Sequence, residues 1–410
     1  MIETFFAVDP VESWPEHLAE LARRPRRSPF AAEAMELVGS LSERILKSDV
    51  AHRFPELAAL AHWFRPASLS RMRADLLQSA GTQGIRPRGC AFLIAPANVD
   101  ILFIYGWLLS LLAGNATVVR VSQKPSDART SFLSLVRSAS DDIRYRQLLR
   151  DSVVVSYPHE STMNRLLSQW CDLRLIWGGD ATVNAIRAIP LKPTAVEGAF
   201  ADRFSMAVFD ARVILEEADR RLAELARRFA NDTLWFSQQA CSSPRMVFWI
   251  GEPSDVEAAK ARFWPLFREA AGAFDDEPAA MMSRVNDVFA MAAGGLIGGV
   301  GDNVVQVPTR AAGLAAASAV RELHSGFGLF VEYQISSLAE LVSQLTDKDQ
   351  TLVLHGASPA AVDQLLDSLP NRALDRIVRV GQATDFGVTW DGINLMDIMT
   401  RRVAVARVAG

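Results

Sequence analysis

Apolar residues in this chain fall into short uninterrupted runs separated by amphipathic stretches, and the alternation repeats from about residue 85 onward. Gly89-Cys-Ala-Phe-Leu-Ile-Ala-Pro96 reads as a buried strand, because a short apolar run bounded by turn formers suits a sheet covered on both faces. Residues 101–112 are too many for a strand and predict a buried helix, with Gly114-Asn115 as its C-terminal cap. Further strands are predicted at 116–121, 152–156 and 173–177. Helices are predicted from Ser126-Asp127 through 136 and over 161–170. Strands alternating with helices predict a parallel α/β sheet. A second alternation begins at 206–209. It continues through a helix at 215–233, a strand at 246–250 and a helix at 255–273, then a strand at 328–333, a helix at 338–345 and a strand at 350–354. Residues 1–85 read as mostly helical, with breaks near Pro25 to Pro29 and at Pro66. The last segment, 401–408, alternates like a pairing strand, which can add to a partner's sheet.

The length of 410 residues suggests two or three domains at roughly 100–200 residues each. With 43 basic and 47 acidic residues the net charge is −4, and no basic stripe points to nucleic acid. Arg23-Arg24-Pro25-Arg26-Arg27 is short and solitary, and reads as a solvated loop. Three cysteines, Cys90, Cys171 and Cys241, are too few for a disulfide framework and carry no zinc-ligand spacing, so no metal is expected. A reducing, cytoplasmic setting fits them best. The N-terminus lacks the basic region of a signal peptide. The mostly apolar run at 101–113 is too short to span a bilayer. Gly294-Gly-Leu-Ile-Gly-Gly-Val-Gly301 lacks a dinucleotide-binding spacing and reads as a turn.

Within this frame Cys241 is the first candidate for chemistry. Cys90 and Cys171 sit in apolar contexts and read as core, whereas Cys241 lies in the polar turn Gln238-Gln-Ala-Cys-Ser-Ser-Pro-Arg245. Small neighbours leave access to sulfur, and the thiolate is the attacking species. A small buried hydrophobe is the bland alternative for any cysteine. Asn98 can cap the helix at 101–112, but Asp100 is an equally good cap and releases Asn98 for another role. Gly178-Gly179, between a strand and a helix, lets a dinucleotide approach backbone. Asp180 would repel a pyrophosphate and is expected to cap that helix. The aromatic residues Trp235, Phe236 and Trp249 read as packing, and His324 as a satisfied or exposed histidine.

Ala95-Pro-Ala-Asn98, Ala113-Gly-Asn115 and Val118-Val-Arg120 together resemble the start of an aldehyde dehydrogenase cofactor domain. Ile176-Trp-Gly-Gly-Asp180, the Cys241 segment, Asp349-Gln-Thr-Leu352 and Trp390-Asp-Gly392 resemble, more narrowly, the long-chain acyl-CoA reductase (LuxC-type) branch. The resemblance covers roughly 85–400. It implies an aldehyde dehydrogenase-like fold of two α/β domains. Residues 1–208 would hold N-terminal helices and the cofactor domain, and 209–380 the catalytic domain. Residues 381–410 would return to the first with a possible oligomerisation strand. Cys241 would be the nucleophile, and Asn98 with the Cys241 N–H the oxyanion donors. Glu197, 13 residues before Asp210-Ala211, matches the family's general base, with a solvated loop charge as the alternative. Arg120, Ser122, Gln123 and Lys124 stand where the family binds the adenosine ribose. Neutral Gln123 in place of an acid, with the cations of Arg120 and Lys124, favours NADPH. Glu322 is the nearest match to a second cofactor-contacting carboxylate. The implied reaction is reduction of an acyl thioester to an aldehyde. The donor would be acyl-CoA, an acyl carrier or an acyl-protein, with an acyl-protein synthetase as a possible partner and a homodimer or tetramer as the assembly. An oxidising aldehyde dehydrogenase and a silent partner of an acyl-transfer complex are the alternatives.

Overall fold

The computed structural model describes residues 2–96, 99, 101–158, 161–274, 277–299, 305–309, 317–370 and 372–406. The chain divides into two compact units, Met1–Ala201 with Phe386–Gly410, and Asp202–Asp385.

The first unit contains β1 (Glu3–Phe6), β2 (Gly84–Pro87), β3 (Cys90–Ile94), β4 (Ala116–Arg120), β5 (Ser152–Ser156), β6 (Leu173–Trp177) and β7 (Val196–Phe200). Six of them form a sheet in the order β1-β5-β4-β3-β6-β7. β1 runs antiparallel to β5, and the other pairs are parallel. Every residue of β3, β4, β5 and β6 is buried, which is why these strands are mostly apolar, with Arg120 and Arg174 the buried charges among them. The helix Leu102–Leu112 is buried from Phe103 to its end. It stops at Gly114, whose φ is 82° and where a Cβ would come 2.4 Å from the Arg27 carbonyl oxygen, so only glycine fits. The N-terminal stretch is helical, with helices including Trp14–Arg23, Ala32–Leu46, Pro55–Trp63 and Pro66–Ala80, but strands β1 and β2 bracket it. Pro66 starts a helix, where its missing N–H costs nothing. The strand order reverses between β3 and β6. In such sheets ligands lie beyond the carboxyl ends at that point. Residues 121–124 leave the carboxyl end of β4, and Gly178-Gly179 leaves that of β6.

The second unit contains β8 (Phe204–Asp210), β9 (Pro244–Ile250), β10 (Gln306–Pro308), β11 (Phe330–Ile335), β12 (Asp349–His355) and β13 (Arg376–Arg379). They form an all-parallel sheet in the order β10-β11-β9-β8-β12-β13. β8 lies wholly within this sheet, so the unit begins at Asp202 and not after 208. Alternate side chains serve opposite faces. Met206, Val208, Met246, Phe248 and Leu352 join one core, and Ala207, Phe209, Val247, Trp249 and Val353 the other. The helix expected at 215–233 is two helices, Ala211–Glu216 and Asp219–Leu234, the first capped by the Asp210 carboxylate.

The chain then returns to the first unit with β14 (Thr389–Trp390), β15 (Ile393–Asn394) and β16 (Thr400–Val403). Asp391 and Gly392, at φ 50° and 72°, make the two-residue turn of the β14–β15 hairpin, which accounts for Trp390-Asp-Gly392. β16 pairs antiparallel with β2. The terminal strand therefore finds its partner in its own chain, over four residues, and residues 407–410 lie outside those described. No described helix is long and apolar enough to cross a membrane.

Candidate active site

Cys241 stands three residues before β9, in a turn that follows the helix Asp219–Leu234. The turn is held open by two left-handed residues, Ser237 at φ 49° and Gln238 at φ 61°. Such backbone costs roughly 1–2 kcal/mol per residue and persists only where its surroundings fix it. The buried Gln238 side chain does the fixing. Its Nε2 donates to the Pro244 and Leu329 carbonyls at 2.7 and 2.9 Å, and its Oε1 accepts from the Gly328 N–H at 2.9 Å. Phe327 N–H also donates to the Ser237 carbonyl at 3.0 Å. The cysteine turn is thus tied to the turn at 324–328.

Cys241 itself is half-buried. Gln350, second residue of β12, donates from Nε2 to the Cys241 sulfur at 3.2 Å. Ser205, second residue of β8, donates from Oγ to the Cys241 carbonyl at 2.6 Å and accepts from the Thr351 N–H at 3.2 Å. The amino ends of three adjacent parallel strands, β9, β8 and β12, therefore converge on one cysteine, with β12 reaching its sulfur. Arg245 on β9 adds a guanidinium. Burial pushes its pKa below the arginine range, while Asp202, Cys241 and Asp287 act in the opposite sense as anions. Gln350 and Ser205 carry no chemical signature of their own. Gln350 falls in the quoted Asp349-Gln-Thr-Leu352 segment, and only the strand pairing shows what it touches.

His324 is buried, as a satisfied histidine should be. Its Nδ1 accepts from the Gly326 N–H at 3.0 Å and its Nε2 faces the Arg245 carbonyl at 3.2 Å. Burial pushes it down to about 3, so it stays neutral with the proton on Nε2. Glu322 is exposed on the helix Ala317–Leu323 of this unit. Trp249 is core and donates its indole N–H to Glu332 at 2.9 Å, whereas Trp235 is exposed. Burial pushes the Cys90 and Cys171 thiols up to about 11 and about 12, which keeps both inert.

In the first unit, Glu197 on β7 lies opposite Arg174 on β6. Arg174 donates from Nε to Glu197 Oε2 at 2.6 Å, and Arg187 donates from Nε to Oε1 at 3.0 Å. Arg174 also holds Ser168 and the Ile189 carbonyl. This carboxylate ties the β6–β7 edge of the sheet to the helix Asp180–Arg187, each oxygen accepting from an arginine. The Arg120 guanidinium is buried, 5.1 Å over the Tyr157 ring and bonded to the Tyr157 carbonyl at 3.2 Å. Arg129 clamps the following loop by donating to the Ser122 and Lys124 carbonyls at 3.0 and 2.8 Å. Ser122 is half-buried, and Gln123 and Lys124 are exposed. A Cβ at Gly178 would press on Thr182 at 3.2 Å, whereas at Gly179 it would meet open space. Gly179 is the cap of the helix Asp180–Arg187, so Asp180 begins the helix and does not cap it. Open backbone at a helix N-terminus, with an exposed lysine beyond a nearby strand of the same sheet, fits a dinucleotide. The Asp180 carboxylate in the first turn does not favour its phosphates. Asn98, Asp100 and Gly301 lie outside the described residues.

Residues 65–402 match the family model described as acyl-CoA reductase (LuxC). A long-chain acyl-protein thioester reductase from Aliivibrio fischeri is 23% identical over 336 residues, covering 78% of this chain and 65% of that protein. One from Vibrio harveyi is 26% identical over 211 residues, covering 50% of this chain and 42% of that protein. The matched part thus falls short of two thirds of these relatives' lengths. Among solved structures, a NAD-dependent aldehyde dehydrogenase from Sinorhizobium meliloti superposes with a TM-score of 0.66 at 14% identity, covering 97% of this chain and 88% of that one. A NAD-dependent benzaldehyde dehydrogenase from Corynebacterium glutamicum gives 0.62 at 12% identity, covering 95% and 87%. The fold is that of the aldehyde dehydrogenases, as the sequence resemblance implied. The match over 65–402 places the chain in the acyl-CoA reductase (LuxC) family.

Proposed function

We propose that this chain reduces a long-chain acyl thioester to an aldehyde through an S-acyl intermediate on Cys241, with NADPH as reductant. The observation that carries the reading is the half-buried Cys241 thiol with an amide N–H at its sulfur, in a chain of this family. The Cys241 thiolate attacks the acyl carbon, and the oxyanion is received by the Cys241 N–H and the Asn98 side-chain amide. The carbon–sulfur bond to the donor breaks, and the donor thiolate leaves and takes a proton from solvent. When bound, the nicotinamide cofactor supplies the hydride that reduces the acyl carbon. The resulting thiohemiacetal collapses. Its carbon–sulfur bond breaks, the electron pair returns to Cys241 and the aldehyde departs.

Glu197 is engaged by two arginines, which favours reduction over an oxidation that needs an activated water. Gly178 and Gly179 would let the dinucleotide reach backbone, and Ser122 and Gln123 would meet the adenosine ribose. Arg120 is packed against Tyr157, so the exposed Lys124 is the cation offered to a 2′-phosphate. The relatives' names point to an acyl-protein donor, the family's to acyl-CoA. An acyl-protein synthetase would generate the first of these, and a homo-oligomer is the proposed assembly. The test is NADPH oxidation with aldehyde formation on either donor. Acid formation from aldehyde with no thioester reduction would refute the proposal.

A further inference from the structure

An S-acyl mechanism needs sulfur as an anion twice, at attack and again when the aldehyde leaves. Two nearby candidates for a proton acceptor, His324 and Asp287, are occupied. His324 is bonded at both ring nitrogens, and Asp287 accepts from the Ser325 N–H at 2.7 Å and its hydroxyl at 2.8 Å. Gln350, by contrast, presents a donor at 3.2 Å from the sulfur. Its side chain is 1% exposed, so little water competes for that donor. Its orientation is imposed from within β12, where the Thr351 hydroxyl donates to Gln350 Oε1 at 3.2 Å and turns Nε2 toward Cys241. The reversed amide would set oxygen lone pairs against an anionic sulfur. The strand start is anchored as well. Arg321 donates to both oxygens of the buried Asp349 at 2.9 and 2.8 Å, and Thr346 N–H donates to the same carboxylate at 2.7 Å.

Resting on the acyl-transfer reading above, we propose that Gln350 is a catalytic residue whose amide N–H holds the Cys241 sulfur as a thiolate. On ionisation the S–H bond breaks, the proton passes to water and the electron pair stays on sulfur, where the N–H···S contact becomes charge-assisted. When the thiohemiacetal collapses and the electron pair returns to sulfur, the same N–H donates to it again. The charged groups facing the turn from neighbouring elements are Asp202, Arg245 on β9, Asp287, and the mutually bonded Arg321 and Asp349. Of these, Arg245 is the cation whose charge couples to Cys241.

The test is the rate of iodoacetamide modification of Cys241 against pH, followed by peptide mapping of the full-length protein. It needs neither acyl donor nor cofactor, so it stands apart from the test of the acyl-transfer reading. Cys90 and Cys171 are buried and contribute little background. Gln350→Met keeps the side-chain length and removes the donor. It should slow modification about tenfold at pH 7, the usual worth of a hydrogen bond to a charged group, and meet the parent curve in alkali. Gln350→Glu, which sets an anion against the sulfur, should slow it further. Thermal melts of both variants show that the fold is intact, and if one is unstable the other decides. Coincident curves for the parent and a folded variant across the pH range would overturn the proposal.

Discussion

Arg174 is 2% exposed, and Glu197 is its counter-charge. Replacing Glu197 by glutamine leaves a buried guanidinium without that charge. It should lower unfolding stability in urea by about 2–4 kcal/mol, somewhat less than loss of a fully buried pair. Cys241 modification should be unchanged in the same variant. Lost turnover with an unchanged unfolding curve would instead restore Glu197 as a base. Asp232 is a second residue whose surroundings decide its chemistry. Burial pushes its carboxyl up to about 7, although the Gly381 and Ala383 N–H groups donate to it at 2.6 and 2.9 Å. The unfolded chain releases that proton near 3.8, the folded one only near 7. The folded state therefore binds more protons across that window. Stability from this group is fully present below about pH 4 and is lost as pH rises through 7. Urea unfolding at pH 5 and pH 8 should show this fall, and Asp232→Asn should remove most of it. An equal slope in the variant would assign the fall to other groups.

The cysteine turn depends on the turn at 324–328. Gly326 has φ 93°, and a Cβ there would sit 2.6 Å from Gln239 Nε2 and 3.1 Å from the Gln238 carbonyl oxygen. Gly326→Ala should cost about 1–3 kcal/mol in strain and shift the turn that presents Cys241. Slower iodoacetamide modification with a lowered melting temperature is the expected pair of results, and an unchanged protein would show the two turns to be independent. Much at this scale was legible in the sequence. β5 and β6 span 152–156 and 173–177 as their apolar runs predicted, because a strand buried on both faces has one pattern. β1, β7, β10 and β13 were not read. They are the edges of the two six-stranded sheets, where one side lacks a partner and few residues are fully buried. The same limit governs the site. Cys241 announced itself by its neighbours, but Arg174 opposite Glu197 and Gln350 beside Cys241 are products of strand pairing, which local sequence does not encode.

For the whole molecule, the family match spans both units, whereas the part matched to the curated relatives covers less than two thirds of their lengths. NADPH should be preferred over NADH in kcat/KM, and Lys124→Ala should reduce that preference about tenfold by raising the KM for NADPH alone. Equal constants for the two cofactors would remove the argument from Gln123 and Lys124. The most direct test of the central claim is the intact mass of the protein after mixing with a panel of acyl thioesters, with Cys241→Ala alongside. The parent alone should gain the acyl mass, and NADPH should discharge it as aldehyde. No gain with any thioester, or an equal gain on Cys241→Ala, would contradict the assignment of Cys241 as the acyl carrier.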